Sequence, residues 1–355
     1  MVNEGITMVD LSNELIVFEI LSNVPAKVVG RSKSVCKKWY DLMLTQHFVK
    51  IHCSRSLISS NQRALLVDDL TCSIHPINFE SGDFGPGTIH SFPFSDVSIY
   101  SHLDGLLCVC LNQTSELLIW NPVSCAYKHL STPDRHGFFE HNVDAIGLYI
   151  DAYDDYKVLH VKRMCGVFSA YIYSRRLESW RNIPFITRPE YVSPTFSWSS
   201  GTLCGDTLYF TVCDCWVGGK NMVICFDVNL EQFKEISFPA FASAGMGFGD
   251  LVNIKNELYM FVSTGIEYMW VELWMLEEEH WIKVSSFPSI PPIPLGLWCE
   301  ITHFMTNGNW FLMTNLGKPY VIKVDRKAFE CFYASNRFRC FQGAMLVETI
   351  VSPTL

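Results

Sequence analysis

Residues 117–130 read LLIWNPVSCAYKHL. An apolar run leads to Trp120, a short polar loop follows, and a second run opens on Tyr127 seven residues later. The layout returns at 170–183, AYIYSRRLESWRNI, with Tyr173 and Trp180. It returns again at 223–236, VICFDVNLEQFKEI, with Phe226 and Phe233, and at 271–284, VELWMLEEEHWIKV, with Trp274 and Trp281. Weaker copies stand at 64–77, ALLVDDLTCSIHPI, with Val67 and Ile74, and at 320–333, YVIKVDRKAFECFY, with Val324 and Cys331. The first anchors are separated by 53, 53, 53, 48 and 50 residues.

Each unit predicts a strand, a turn and a second strand. A period near fifty with several strands per unit is the mark of a kelch-type β-propeller. One such unit cannot bury both faces of its sheet, so neighbours must stack until the ring closes. The count predicts six blades. Little chain is left ahead of Val67 for the inner strands of the first blade. The segment Ala344–Val351, AMLVETIV, is therefore expected to pair into that blade and close the ring.

Ahead of residue 60 the period is helical. Leu11, Leu15, Phe18 and Leu21 fall on one stripe, with Asp10 or Ser12 placed to cap it. Pro25 ends this helix and suits the start of the next. Gly30 is expected to stop that short second helix. A third carries Val35, Trp39 and Leu42 on one face, with Arg31, Lys33, Lys37 and Lys38 as a solvated basic surface.

The block resembles an F-box. The matching residues are Leu11, Glu14, Leu15, Ile20, Leu21, Val24, Pro25, Lys27, Val28, Val29, Arg31, Lys33, Val35, Cys36, Lys37 and Trp39. Ser12 stands where that family has proline, and Gly30 and Ser32 where it has large apolar residues. Each of the latter two removes about 1.5–3 kcal/mol if the missing side chain is one the fold would bury. The segments GLLCV, LLIWNP, DVNLEQFKEISFP and WMLEEEHWIKV resemble the plant F-box-associated kelch-like domain. The expected class is an α+β multidomain chain, a small three-helix F-box followed by an all-β propeller. The expected division is F-box 8–45, helical linker 46–60 and propeller 61–355.

Composition bounds the alternatives. The chain has 355 residues, 49% of them hydrophobic and 14% aromatic, enough for a large core. No run reaches the 18 or so apolar residues of a membrane span, and residues 1–14 lack the pattern of a secretory signal. Residues 1–56 hold seven Lys/Arg and five Asp/Glu, whereas the rest hold 20 and 31. An acidic main domain argues against a nucleic-acid partner. Fourteen scattered cysteines with no C-x-x-C pair read as buried thiols in a reducing compartment, cytoplasm or nucleus. Cys108/Cys110 and Cys213/Cys215 each share a strand face but complete no zinc pattern. The histidines are dispersed, mostly at expected turns. No nucleophile elbow, H-E-x-x-H or phosphate loop appears, so no catalytic site, metal or cofactor is expected.

In a propeller the outer-hairpin turns share one face. The connections between blades and between second and third strands share the other. The turns here are short. The connections are long and carry Phe138, Phe139, Tyr191, Trp198, Trp216, Tyr268 and Trp270, large rings suited to a binding surface or to packing between blades. The resemblance implies a non-catalytic substrate receptor of an SCF-type cullin–RING ubiquitin ligase. Its F-box would bind a Skp-family adaptor, and through it cullin and RING subunits. Its loops would bind a protein target. Leu11, Ile20, Leu21, Val24, Pro25, Val28, Val35 and Trp39 are then the residues expected to contact or support the adaptor. A kelch-type interaction scaffold with a weak F-box acting outside a ligase is the alternative.

Overall fold

A computed structural model describes residues 11–58, 63–68, 73–78, 97–111, 113–114, 116–131, 145–164, 167–185, 196–214, 221–239, 249–254, 256–264, 270–288, 305–306, 310–315, 318–325, 328–333 and 340–354. The first helix, α1 (Asn13–Leu15), is capped by Ser12, whose Oγ accepts from Leu15 N at 3.2 Å. The winding runs on through a π turn (Ile16–Ile20) and a 3-10 turn (Leu21–Asn23). Pro25 then caps α2 (Ala26–Ser32), its carbonyl accepting from Val28 N and Val29 N. The expected stop at Gly30 is not where α2 ends. Lys33 N still donates to Val29 O at 3.2 Å, and Ser32 Oγ bonds Val28 O at 2.9 Å, so the winding passes through the glycine. Two further helices are α3 (Lys37–Met43), capped by Cys36 so that Val35, expected on its face, lies ahead of it, and α4 (Gln46–Ile58). No described helix is long and apolar enough to cross a membrane.

Antiparallel sheets follow in chain order. The hairpin β1 (Arg63–Asp68) and β2 (Ser73–Asn78) comes first. The next sheet is β3 (Val97–Leu103), β4 (Leu106–Leu111), β5 (Glu116–Asn121) and β6 (Ala126–Leu130). Then come β7 (Ala145–Ile150), β8 (Tyr156–Met164), β9 (Val167–Ser174) and β10 (Ser179–Ile183). The following sheet has five strands: β11 (Phe196–Trp198), β12 (Thr202–Cys204), β13 (Thr207–Asp214), β14 (Met222–Asp227) and β15 (Gln232–Ser237). Four more strands are β16 (Gly249–Ile254), β17 (Glu257–Thr264), β18 (Trp270–Glu277) and β19 (His280–Pro288). The next four are β20 (Met305–Thr306), β21 (Trp310–Asn315), β22 (Lys318–Asp325) and β23 (Ala328–Tyr333). Last, β24 (Cys340–Leu346) returns to pair antiparallel with β1. Successive four-stranded antiparallel sheets of this kind are the architecture of a β-propeller.

Strand composition follows position in the sheet. The third strands LLIWN of β5 and MVICF of β14 are buried almost throughout, so their apolar runs are continuous. The outer strands β6, β10 and β15 are mostly exposed or half-buried, with Tyr127, Lys128, Trp180, Arg181, Phe233 and Lys234 on the less covered rim. Cores form between consecutive sheets. Tyr149, Leu159 and Val161 meet Leu208, Phe210 and Phe226, while Val223 and Cys225 meet Met260 and Val262. Cys108 and Cys110 face one cluster, as expected for residues two apart in a strand.

The repeat anchors are cross-strand partners in four units: Val67 with Ile74, Trp120 with Tyr127, Tyr173 with Trp180 and Phe226 with Phe233. The residue after the anchor builds the turn. Asn121 Oδ1 accepts from Val123 N and Ser124 N, Ser174 Oγ from Leu177 N, and Asp227 Oδ1 from Asn229 N and Leu230 N. Each of these loops ends on a left-handed residue, Cys125, Glu178 or Glu231. The shorter units differ. Only Glu278 and Glu279, both at positive φ, bridge β18 and β19, so Trp274 pairs with Lys283 and Trp281 with Leu276. In the last unit Val324 pairs with Phe329.

The expected closing segment is displaced. The strand that pairs with β1 is Cys340–Leu346, and residues 347–350 follow it outside the ladder. Five of the histidines are also in strands rather than at turns: His75, His102, His129, His160 and His280.

Candidate functional site

The helical block has a core of Val17, Leu21, Val29, Met43 and Phe48, with Phe18, Val24, Trp39 and Leu42 packed against it. Trp39 Nε1 donates to Asn13 Oδ1 at 2.8 Å, tying α3 to α1. From α4, Arg55 donates to Phe18 O at 2.8 Å, and His52 Nε2 lies 3.0 Å from Val24 O. That core leaves other apolar residues outside it. Leu11 is 55% exposed, Ile20 49%, Val28 40% and Val35 62%. Leu15, Tyr40 and Leu44 are also exposed. Tyr40 on α3 and Leu44 at its C-terminal cap stand one helical turn apart, while Leu11 precedes the Ser12 cap of α1.

The eight block residues singled out from sequence therefore divide. Leu11, Ile20, Pro25, Val28 and Val35 are presented to solvent, Leu21 is in the core, and Val24 and Trp39 are half-buried supports. Leu15, Tyr40 and Leu44 are the additions. Their i, i+4 spacing on one stripe was the available signal. Gly30 is exposed, and a Cβ there would meet nothing within 4 Å. A larger residue at Gly30 would extend the exposed surface and fill no gap in the core. Ser32 is half-buried.

Of the seven propeller residues, Phe138, Phe139, Tyr191, Trp216 and Tyr268 lie outside the described residues. Trp270 opens β18, where it pairs with Thr264 and Pro288. Trp198 is half-buried between sheets, its ring 5.8 Å from Phe168, 6.2 Å from Phe185 and 6.1 Å from Phe210. Its ring is taken up by packing between blades.

The turn face is ordered by a second repeat. Lys128 pairs with Glu178, Arg181 with Glu231 and Lys234 with Glu279, each from one sheet's outer strand to the next sheet's turn. Below these rungs, Trp180 Nε1 donates to Ser131 O and Trp281 Nε1 to Ser237 O. Phe233, which has no N–H, stacks edge-on against Phe185 at 4.8 Å instead. A groove of about 520 Å³ lies beside the last rung, lined by Tyr209, Cys225, Lys234, Glu257 and Glu279 among others. Burial pushes the Cys204 thiol there up to about 11 and Cys225 to about 12, so neither is a thiolate at neutral pH. Among the described residues no three His, Cys, Asp or Glu gather as metal ligands.

Comparison with known proteins agrees with this architecture. An Arabidopsis thaliana F-box/kelch-repeat protein is 25% identical over 94% of each chain. An F-box protein of the same plant is 26% identical over 91% of this chain and 92% of its own. In three further matches to A. thaliana F-box proteins the chain spans less than two thirds of the relative: 61%, 65% and 57%. TolB of Acinetobacter baumannii shares the fold alone, with a TM-score of 0.50 and 11% identity over 80% of this chain and 66% of TolB. Residues 86–316 match the F-box associated beta propeller domain. With that match over more than half its length, set behind a helical block with F-box residues, the chain belongs to the F-box-associated β-propeller family.

Proposed function

We propose that the chain is the substrate-receptor subunit of an SCF-type cullin–RING ubiquitin ligase, working in the cytoplasm or nucleus. In this reading residues 8–45 dock on a Skp-family adaptor, 46–60 link, and 61–355 form a six-bladed ring. The long-loop face holds a protein target. The receptor does no covalent chemistry. It raises the concentration of target lysines near the ubiquitin-charged enzyme. The observation that carries the reading is the set of exposed apolar side chains on a block whose core is already complete, led by Ile20, Val28 and Val35. Such a surface in so small a unit fits a permanent partner.

The test is co-purification with a Skp-family adaptor. Ile20→Asp with Val28→Asp should weaken capture by at least about 100-fold, since each buried aliphatic side chain is worth about 1.5–3 kcal/mol. Thermal unfolding should be unchanged, because neither residue is in the core. Undiminished capture by the double variant would sink the assignment.

A second reading, an interaction scaffold acting outside a ligase, has one observation in its favour. Gly30 leaves open space on the very surface the adaptor would cover. Absence of adaptor binding by the native chain, gained on Gly30→Leu, would favour it.

A further inference from the structure

The segment 347–353 follows β24 and joins no sheet, yet it is not loose. Val347, Thr349, Val351 and Pro353 are buried, while Glu348, Ile350 and Ser352 alternate with them at intermediate exposure. The two sides meet different parts of the molecule. Val351 joins the propeller cluster of Leu106, Cys108 and Ile119. Ile350 packs against the core of the helical block. From the linker helix, Cys53 enters the same propeller cluster as Val351, and Lys50 Nζ lies 2.5 Å from Asp154 Oδ1 in the β7–β8 turn.

Polar contacts fix the segment. Asn121 Nδ2 donates to Thr349 O at 3.1 Å and to Val351 O at 2.7 Å. Thr349 Oγ1 donates to Asp104 O at 2.6 Å, and Arg175 Nη1 to Ser352 O at 2.9 Å. Gly105, at φ +78, passes so close that a Cβ there would strike Val347 O and Thr349 Oγ1. The repeat makes Asn121 informative. At the equivalent turn position Asp227 forms the same turn with a carboxylate, and Ser174 with a hydroxyl. A turn needs only the acceptor. The amide at Asn121 supplies, in addition, the donor that the segment uses.

We propose that residues 347–353 are an intramolecular clamp, anchored by Asn121, that locks the helical block onto the propeller as one rigid body. The consequence, that a target on the long-loop face is held at a fixed position relative to the adaptor, rests on the receptor reading. The clamp itself does not.

The test uses full-length chains carrying Asn121→Asp, which keeps the turn acceptor and removes both donors, or Ile350→Ser, which leaves the propeller-facing side intact. Backbone hydrogen exchange in α4 and 347–353 should accelerate at least ten-fold in both, and small-angle scattering should show a broader distance distribution. Exchange in β8, β13 and β14 should not change. Unchanged exchange in α4 and unchanged scattering in either folded variant would overturn the clamp. Should one variant unfold, the other decides. Adaptor capture is measured in parallel: its failure in the native chain removes the receptor reading, while the exchange result still decides the clamp.

Discussion

Between residues 11 and 58 seven large apolar side chains stay exposed, from Leu11 to Leu44, around a core of five buried residues. The propeller residues whose burial is described are more numerous and expose six. Two of those six, Leu177 and Leu230, occupy one position in successive turns, where the chain must reverse in solvent. The propeller hides its apolar surface by repetition, each sheet covering the next. The block has no repeat and too little volume. Its residual surface is a property of size as much as of sequence. Uncovered apolar surface therefore belongs to the block, and self-sufficiency to the ring.

The largest expected effect attacks that self-sufficiency. A chain ending at Asn336 loses β24 and the clamp, leaving β1 with an open edge. It should be insoluble or lose cooperative unfolding by calorimetry. A soluble truncated chain with a native melting transition would break the contrast, because the ring would not need closing. On the block, Gly30→Leu should raise adaptor affinity several-fold and stabilise α2 by somewhat under about 1 kcal/mol, the difference in helix propensity. Titration calorimetry and thermal melts separate the two. Equal affinity would place Gly30 outside the contact.

Acidification should loosen the helical block. Burial holds His52 below the usual histidine range, the Val24 carbonyl and Glu348 oppose that, and Lys33 adds to it. A depressed folded-state value means stability is complete above about pH 6.5. It is lost as pH falls through the lower folded value. Nδ1 is buried without a hydrogen-bond partner among the described residues, so a second proton there finds no acceptor. His52→Gln should flatten the pH dependence of α4 hydrogen exchange between pH 7 and pH 5. An unchanged slope would mean another group is responsible. The smallest effect is on the turn face, where Lys234→Ala should cost no more than about 1 kcal/mol in denaturant unfolding, because the pair with Glu279 is exposed. A larger loss would show that the rungs act as a network.

Much of the ring was legible because its spacing is covalent. Trp120 and Tyr127, Tyr173 and Trp180, and Phe226 and Phe233 pair across turns of constant length, and constant length appears in sequence as a period. The repeat spacing does not carry the register at Trp274, where the turn shrinks to two residues and the pairing moves. Gly30 suits a stop because glycine is a common C-terminal cap of helices, but the hydrogen bonds on either side carry the winding through. In the helical block the division between exposed and core positions was not legible. Leu21 and Ile20 are neighbours of like chemistry. Only the turn that places Leu21 in the core and Ile20 outside it separates their roles. Trp198 resembled a loop aromatic because nothing local announces Phe168, Phe185 and Phe210 around it. The long-range partners of Asn121 had no sequence signature at all.

The pairing of β24 with β1 also has a consequence for how the molecule is made. On the ribosome the helical block and the β1–β2 hairpin emerge long before β24 is translated. The hairpin must wait with one edge unpaired while every later sheet is synthesised. A prematurely terminated product would carry a complete helical block on an unsealed ring. Chaperones and proteases that sense open strand edges can then discard incomplete copies.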